Sequence, residues 1–144
     1  MSSVRAGSRL TAAAGALMLL AATAHTIGHV PLLAGADRTG SVGAMSADRA
    51  PLGFGMTPSM LDVHLALVLT MSVTFVALGV ITVLIALSDA GTRLRRRVLW
   101  VDTISMGALI VVYAYYRIPP PLMSTILITA LLVAAQFRAR ATVP

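Results

Sequence analysis

The sequence predicts an all-α fold, a four-transmembrane-helix bundle that makes one integral membrane domain over residues 1–144, with N and C termini cytoplasmic. Three observations predict it. Hydrophobic residues make up 58% of the chain and charged residues only 11%, with a mean hydropathy of +0.89. A soluble domain carries about a quarter charged residues, so these charges are too few to cover a globule in water but enough for the two ends of a bundle in lipid. The apolar residues fall into four separate runs, and lipid admits such runs only as helices or as closed barrels. The basic residues are concentrated at one end of each run.

The first run is predicted helical over about 10–34, the second over about 59–88, the third over about 97–117 and the fourth over about 121–138. A spanning helix needs about 20 residues at 1.5 Å each. The first and third runs fit that length. The second exceeds it and is expected to tilt or to project into water. The fourth is short, and Pro119, Pro120 and Pro121 are expected to stop it being extended as regular helix towards its N-terminal side. The polar stretch over about 36–58, rich in Gly, Ala, Ser and Asp and without a clear period, reads as an outer loop, partly ordered against the bundle. Arg5 and Arg9, an apolar core and then Ala22-Thr23-Ala24 also follow the order of a secretory leader with an A-x-A cleavage site. The apolar character continues through Ile27, Val30, Leu32 and Leu33, so an uncleaved first helix is expected.

Orientation follows from arginine, since the chain has neither Lys nor Glu. Arg5, Arg9, Arg93, Arg95, Arg96, Arg97, Arg138 and Arg140 fall on one side of the predicted spans. Arg38, Arg49 and Arg117 fall on the other, near Asp37 and Asp48. Arg and Lys are retained on the cytoplasmic side, which puts both termini and the middle loop there. The third span fits this register. Trp100 and the cluster Tyr113, Tyr115 and Tyr116 lie about 24 Å apart along a helix, the spacing of two interfacial aromatic belts. The formal charge of +6 then reports contact with anionic lipid and not with nucleic acid, because the arginines flank apolar spans and form no separate polar domain.

The residues with chemistry to offer are few. There is no cysteine, which removes disulfides, thiolate metal sites and cysteine nucleophiles. The sequence carries no Walker loop, no dinucleotide fingerprint, no G-x-S-x-G and no H-E-x-x-H, so nothing in it points to a particular enzyme. The three histidines are the informative feature. His25 and His29, spaced i, i+4, share a face of the first helix, and His64 follows Asp62 near the start of the second. The two helices run in opposite directions, so the histidines come to similar depth, roughly 10 Å below the outer surface by helical rise. Ionisable groups at such depth face the bundle interior and need partners. Asp62 and His64 are two residues apart and point to different sides. Ala21, Ala24 and Gly28 are expected to let the helices approach. Pro31 leaves the carbonyl of Ile27 without its N–H partner, which Thr26 could supply to it or to a neighbour.

Four readings of this cluster stay open. His25, His29 and His64, with or without Asp62, hold a divalent metal such as Zn or Cu, which imidazole suits. His64 pairs with His25 or His29 across a haem b. The histidines relay protons or bind a quinone-like or lipid ligand. Or they form a structural cluster, hydrogen-bonded to Asp, Thr or backbone, in a protein that binds a membrane partner or assembles as a homo-oligomer. Asp102, one turn or so inside the third span, is expected to reach the interface or to pair with Arg95, Arg96 or Arg97.

At Ala24-His25-Thr26-Ile27-Gly28-His29 the chain resembles a group of small, uncharacterised bacterial four-helix membrane proteins with an H-T-x-G-H box in the first helix. The resemblance implies the same topology in a bacterial inner membrane and singles out His25, Gly28 and His29. The second helix departs from the group, which begins it with an aromatic-rich stretch where this chain has Ser59-Met60-Leu61-Asp62-Val63-His64.

The absence of cysteine makes the topology easy to test. In intact cells, a membrane-impermeant maleimide is expected to label Ala44→Cys and to spare Thr142→Cys until the membrane is opened.

Overall fold

Each apolar run folds as a helix because a helix satisfies its own backbone N–H and C=O groups, as lipid requires. The computed structural model describes residues 2–34, 39–51, 55–88, 91–115 and 117–140. Among these residues the elements are α1 (Ser2–Leu33), α2 (Gly40–Ala47), α3 (Met60–Leu87), α4 (Thr92–Tyr115) and α5 (Pro119–Arg140), with no strand beyond one isolated bridge between Arg49 and Ser59. Four helices are long and apolar enough to cross a membrane, over Gly7–Leu32, Met60–Leu87, Arg93–Tyr115 and Pro121–Arg138. This is an all-α, multi-pass membrane protein.

Only 22–28% of each span is buried inside the chain. What the spans leave outward is apolar: Val73, Leu87 and Val111 are 68%, 76% and 69% exposed. Such surfaces are stable against acyl chains and not against water. The hydroxyls in these spans are satisfied locally. Thr70 and Thr74, both exposed, donate to the carbonyls of Ala66 and Thr70, four residues back, and Thr11, Ser72, Thr125 and Thr129 do the same. A threonine bonded to its own helix can face lipid without marking a polar pathway.

Three boundaries differ from the sequence expectation. α1 starts at Ser2, so Arg5 and Arg9 belong to the helix itself. α5 starts at Pro119 and takes all three prolines into its first turn. The first N–H groups of a helix have no intrahelical acceptor, so prolines there cost no hydrogen bond. The polar loop contains the eight-residue α2. Asp37 and Arg38 of that loop, and Tyr116 of the aromatic belt, lie outside the described residues.

One compact unit comprises Met1–Ala21 and Phe75–Pro144. All four long helices contribute to it. α1 meets α3 at two glycines: a Cβ on Gly15 would lie 2.9 Å from the Gly79 carbonyl oxygen and 2.8 Å from Val83 Cγ2, and one on Gly79 would lie 2.9 Å from the Gly15 carbonyl oxygen. α3 meets α4 where Thr82 and Asp102 are 2.6 Å apart. α4 meets α5 where Gln136 Nε2 donates to the Leu99 carbonyl at 3.1 Å and to Thr103 Oγ1 at 2.8 Å. α5 returns to α1 where Gly7 faces Arg138 Cβ. Met18, Leu99, Met106, Ile128 and Leu132 are fully buried within it. On α4, Trp100 and Tyr115 are exposed, as interfacial belt residues should be, whereas Tyr113 turns inward and is buried.

The turn after α4 is a Schellman motif. Ile118 N–H donates to the Tyr113 carbonyl at 3.0 Å and Arg117 N–H to the Ala114 carbonyl at 3.2 Å. The motif needs a left-handed residue, usually Gly, and here Arg117 fills it at φ 55°.

The second unit is Ala22–Thr74, the end of α1, α2 and the first half of α3. Its polar segment is tied back on itself. Ala50 N–H donates to the Pro58 carbonyl and Met60 N–H to the Asp48 carbonyl, both at 2.9 Å.

Gly79→Val is expected to destabilise the protein by about 1–3 kcal/mol through overpacking, read as a lower unfolding midpoint in detergent. Arg117→Gly is expected to stabilise it by about 1 kcal/mol by relieving the left-handed residue, in the same measurement.

Candidate functional site

The second unit holds all three histidines. His25 and His29 lie one turn apart on α1, and their ring centroids are 4.7 Å apart with planes tilted by 57°. His64, in the second turn of α3, brings its ring to 5.7 Å from that of His29. The spacing i, i+4 on α1 and the early position of His64 on α3 thus give a contiguous run of three half-buried imidazoles. The order of contact is His25, His29, His64.

Hydrogen bonds assign roles within the run. His29 Nδ1 lies 2.8 Å from the His25 carbonyl oxygen. A carbonyl only accepts, so Nδ1 carries the hydrogen, and in the neutral ring Nε2 of His29 is left as a lone-pair acceptor. Among the described residues two buried side-chain nitrogens have no hydrogen-bond partner, Arg95 Nε in the first unit and His25 Nε2 in this cluster. Buried polar atoms in native proteins are nearly always paired, so each exception calls for an explanation.

Asp62 bonds to the residue that opens its own helix. Ser59 N–H donates to Asp62 Oδ2 at 3.1 Å, Ser59 Oγ donates to the same oxygen at 2.7 Å, and Asp62 N–H donates to Ser59 Oγ at 3.1 Å. This is a capping box, closing the first turn of α3. The sequence signal was Ser59-Met60-Leu61-Asp62 ahead of an apolar run. The box fixes the start of α3, and with it the height at which His64 enters.

The other expected features divide. Thr26 donates to the Ala22 carbonyl at 2.9 Å and not to that of Ile27, which Pro31 leaves without its helical partner. Gly28 is exposed, and a Cβ added to it would meet nothing within 4 Å. The close approach of small residues is instead at Gly15 and Gly79, where a glycine in each of the first two spans was the available signal. Asp102, in the first unit, neither reaches the interface nor pairs with Arg95, Arg96 or Arg97. It is fully buried and bonded to Thr82.

Chemically, imidazole rings offer lone pairs and N–H groups to a metal, a proton or a hydrogen-bonding ligand. Ring contact alone does not aim three lone pairs at one point, and Zn–N bonds of about 2.0–2.1 Å demand that. Among the described residues no group of three His or Asp side chains is set to hold a metal ion. Comparison with protein-family models, with curated proteins and with solved structures finds no match.

Ser59→Ala removes one half of the capping box and is expected to cost about 1 kcal/mol. A thermal melt of the detergent-solubilised variant measures it, and an unchanged midpoint would mean the box contributes nothing to α3.

Proposed function

We propose that this small multi-pass membrane protein binds a small hydrogen-bonding ligand at His25, His29 and His64, close to the outer face of the cell membrane, with both termini in the cytoplasm. The observation that carries the reading is His25 Nε2, a buried ring nitrogen with no partner among the described residues. A purely structural histidine cluster would spend its nitrogens on Asp, Thr or backbone. Here, among the described residues, Thr26 donates to its own helix and His29 Nδ1 bonds the backbone, and neither reaches His25 Nε2. A ligand that brings its own donor or acceptor to His25 Nε2 would complete the site. His29 Nε2 and the His64 ring, next in the row, are the second and third points of contact.

The orientation rests on the arginines. The four in the first turns of α4, together with those near both ends of the sequence, are assigned to the side retained in the cytoplasm. The histidines lie near the end of α1 and the start of α3, and so towards the other side.

Native mass spectrometry of the detergent-purified protein, with elemental analysis and a visible spectrum, tests the reading. The wild type is expected to retain a small organic adduct that His25→Ala loses and Arg117→Gly, in the other unit, keeps. Finding no adduct, with His25→Ala and His64→Ala as stable as the wild type, would leave the cluster without a binding role. A stoichiometric metal or a haem spectrum would replace the organic ligand with that group.

A further inference from the structure

Asp102 is the one acidic side chain placed well inside a span, and its hydrogen bonding can be counted. Thr82 Oγ1 lies 2.7 Å from the Leu78 carbonyl oxygen and 2.6 Å from Asp102 Oδ2. Each of these short oxygen–oxygen contacts needs a hydrogen between its atoms. A threonine hydroxyl has one hydrogen, a carbonyl has none, and an ionised carboxylate is an acceptor only. If Thr82 gives its hydrogen to Leu78, as the hydroxyls of these spans do to the carbonyl four residues back, the second hydrogen must come from the carboxyl.

We infer that Asp102 is a proton-binding site inside the membrane span, held as the neutral acid, with its Oδ2–H donating to Thr82 Oγ1 and Thr82 donating in turn to the Leu78 carbonyl. The surroundings fit a neutral group. Asp102 is 1% exposed. Arg95, Arg96 and Arg97 precede it on α4, yet none of them is bonded to it among the described residues, and Thr82 is its partner on α3. A buried carboxylate without a cation would be costly, whereas a carboxylic acid with a satisfied O–H is not. The neighbouring Thr103 and Gln136 are occupied with each other and with the Leu99 carbonyl, so they supply it with no hydrogen. The proton makes Asp102 a donor that joins α4 to α3, and it leaves the span with no net charge at this point. This inference is independent of the histidine reading, because the two groups of residues belong to different units.

Infrared spectroscopy of the full chain in lipid at neutral pH tests it. A protonated carboxyl shows a C=O stretch above the amide region, and a chain with no Glu and only five Asp leaves few candidates for it. The wild type is expected to show that band, Asp102→Asn to lose it and Asp62→Asn to keep it. Thr82→Val retains the acid but removes its acceptor, so the band is expected to move to higher frequency. Absence of the band from the wild type overturns the inference, and so does its persistence in Asp102→Asn. If Asp102→Asn does not fold, an unshifted band in Thr82→Val overturns it equally.

Discussion

Lipid offers no hydrogen bonds, and that single constraint organises this protein. Every backbone group in the spans must be satisfied inside a helix, and every polar side chain there must find a partner in the chain or do without one. The chain meets the first demand with four long helices. It meets the second mostly with the cheapest device available, a hydroxyl turned back on the carbonyl four residues earlier. Against that background the few polar atoms that reach between helices, or reach nothing, stand out as informative.

Two such places, one in each unit, solve the problem differently. In the unit built from Met1–Ala21 and Phe75–Pro144, Thr82 with Asp102, and Thr103 with Gln136, form short hydrogen-bonded chains that end on backbone carbonyls. Groups satisfied in this way fix α3 to α4 and α4 to α5 in register, and the Gly15–Gly79 contact sets how closely α1 approaches α3. In the unit Ala22–Thr74 the imidazoles touch one another, but His25 Nε2 remains unmatched. Satisfaction within the chain suits a structural joint. An unmatched nitrogen suits a place where something else binds.

Much of this was legible beforehand. The four spans, their approximate limits and the meeting of His25, His29 and His64 follow from hydropathy, helical rise and the i, i+4 spacing, all of which are properties of neighbours along the chain. The Ser59–Asp62 box was legible too, as a local motif, though it competes with the more conspicuous reading of Asp62 as a histidine partner. Less legible were Gly28 and Asp102. A glycine in a span marks close packing only if its face meets another helix, and whether a buried aspartate turns to the arginines of its own helix or to a threonine on another depends on how the two helices are rotated.

The sequence by itself determined that the chain crosses lipid on four helices, because the cost of exposing backbone and charge to hydrocarbon is read residue by residue. It also indicated that His25 and His29 share a face of one helix and come close to His64 on another. Only the tertiary structure decided which glycines touch, that Asp102 bonds Thr82 and that a nitrogen of His25 has no partner among the described residues. These depend on the rotation of one helix about its axis against the next, and spans apolar almost all round leave little periodic signal from which to read that angle.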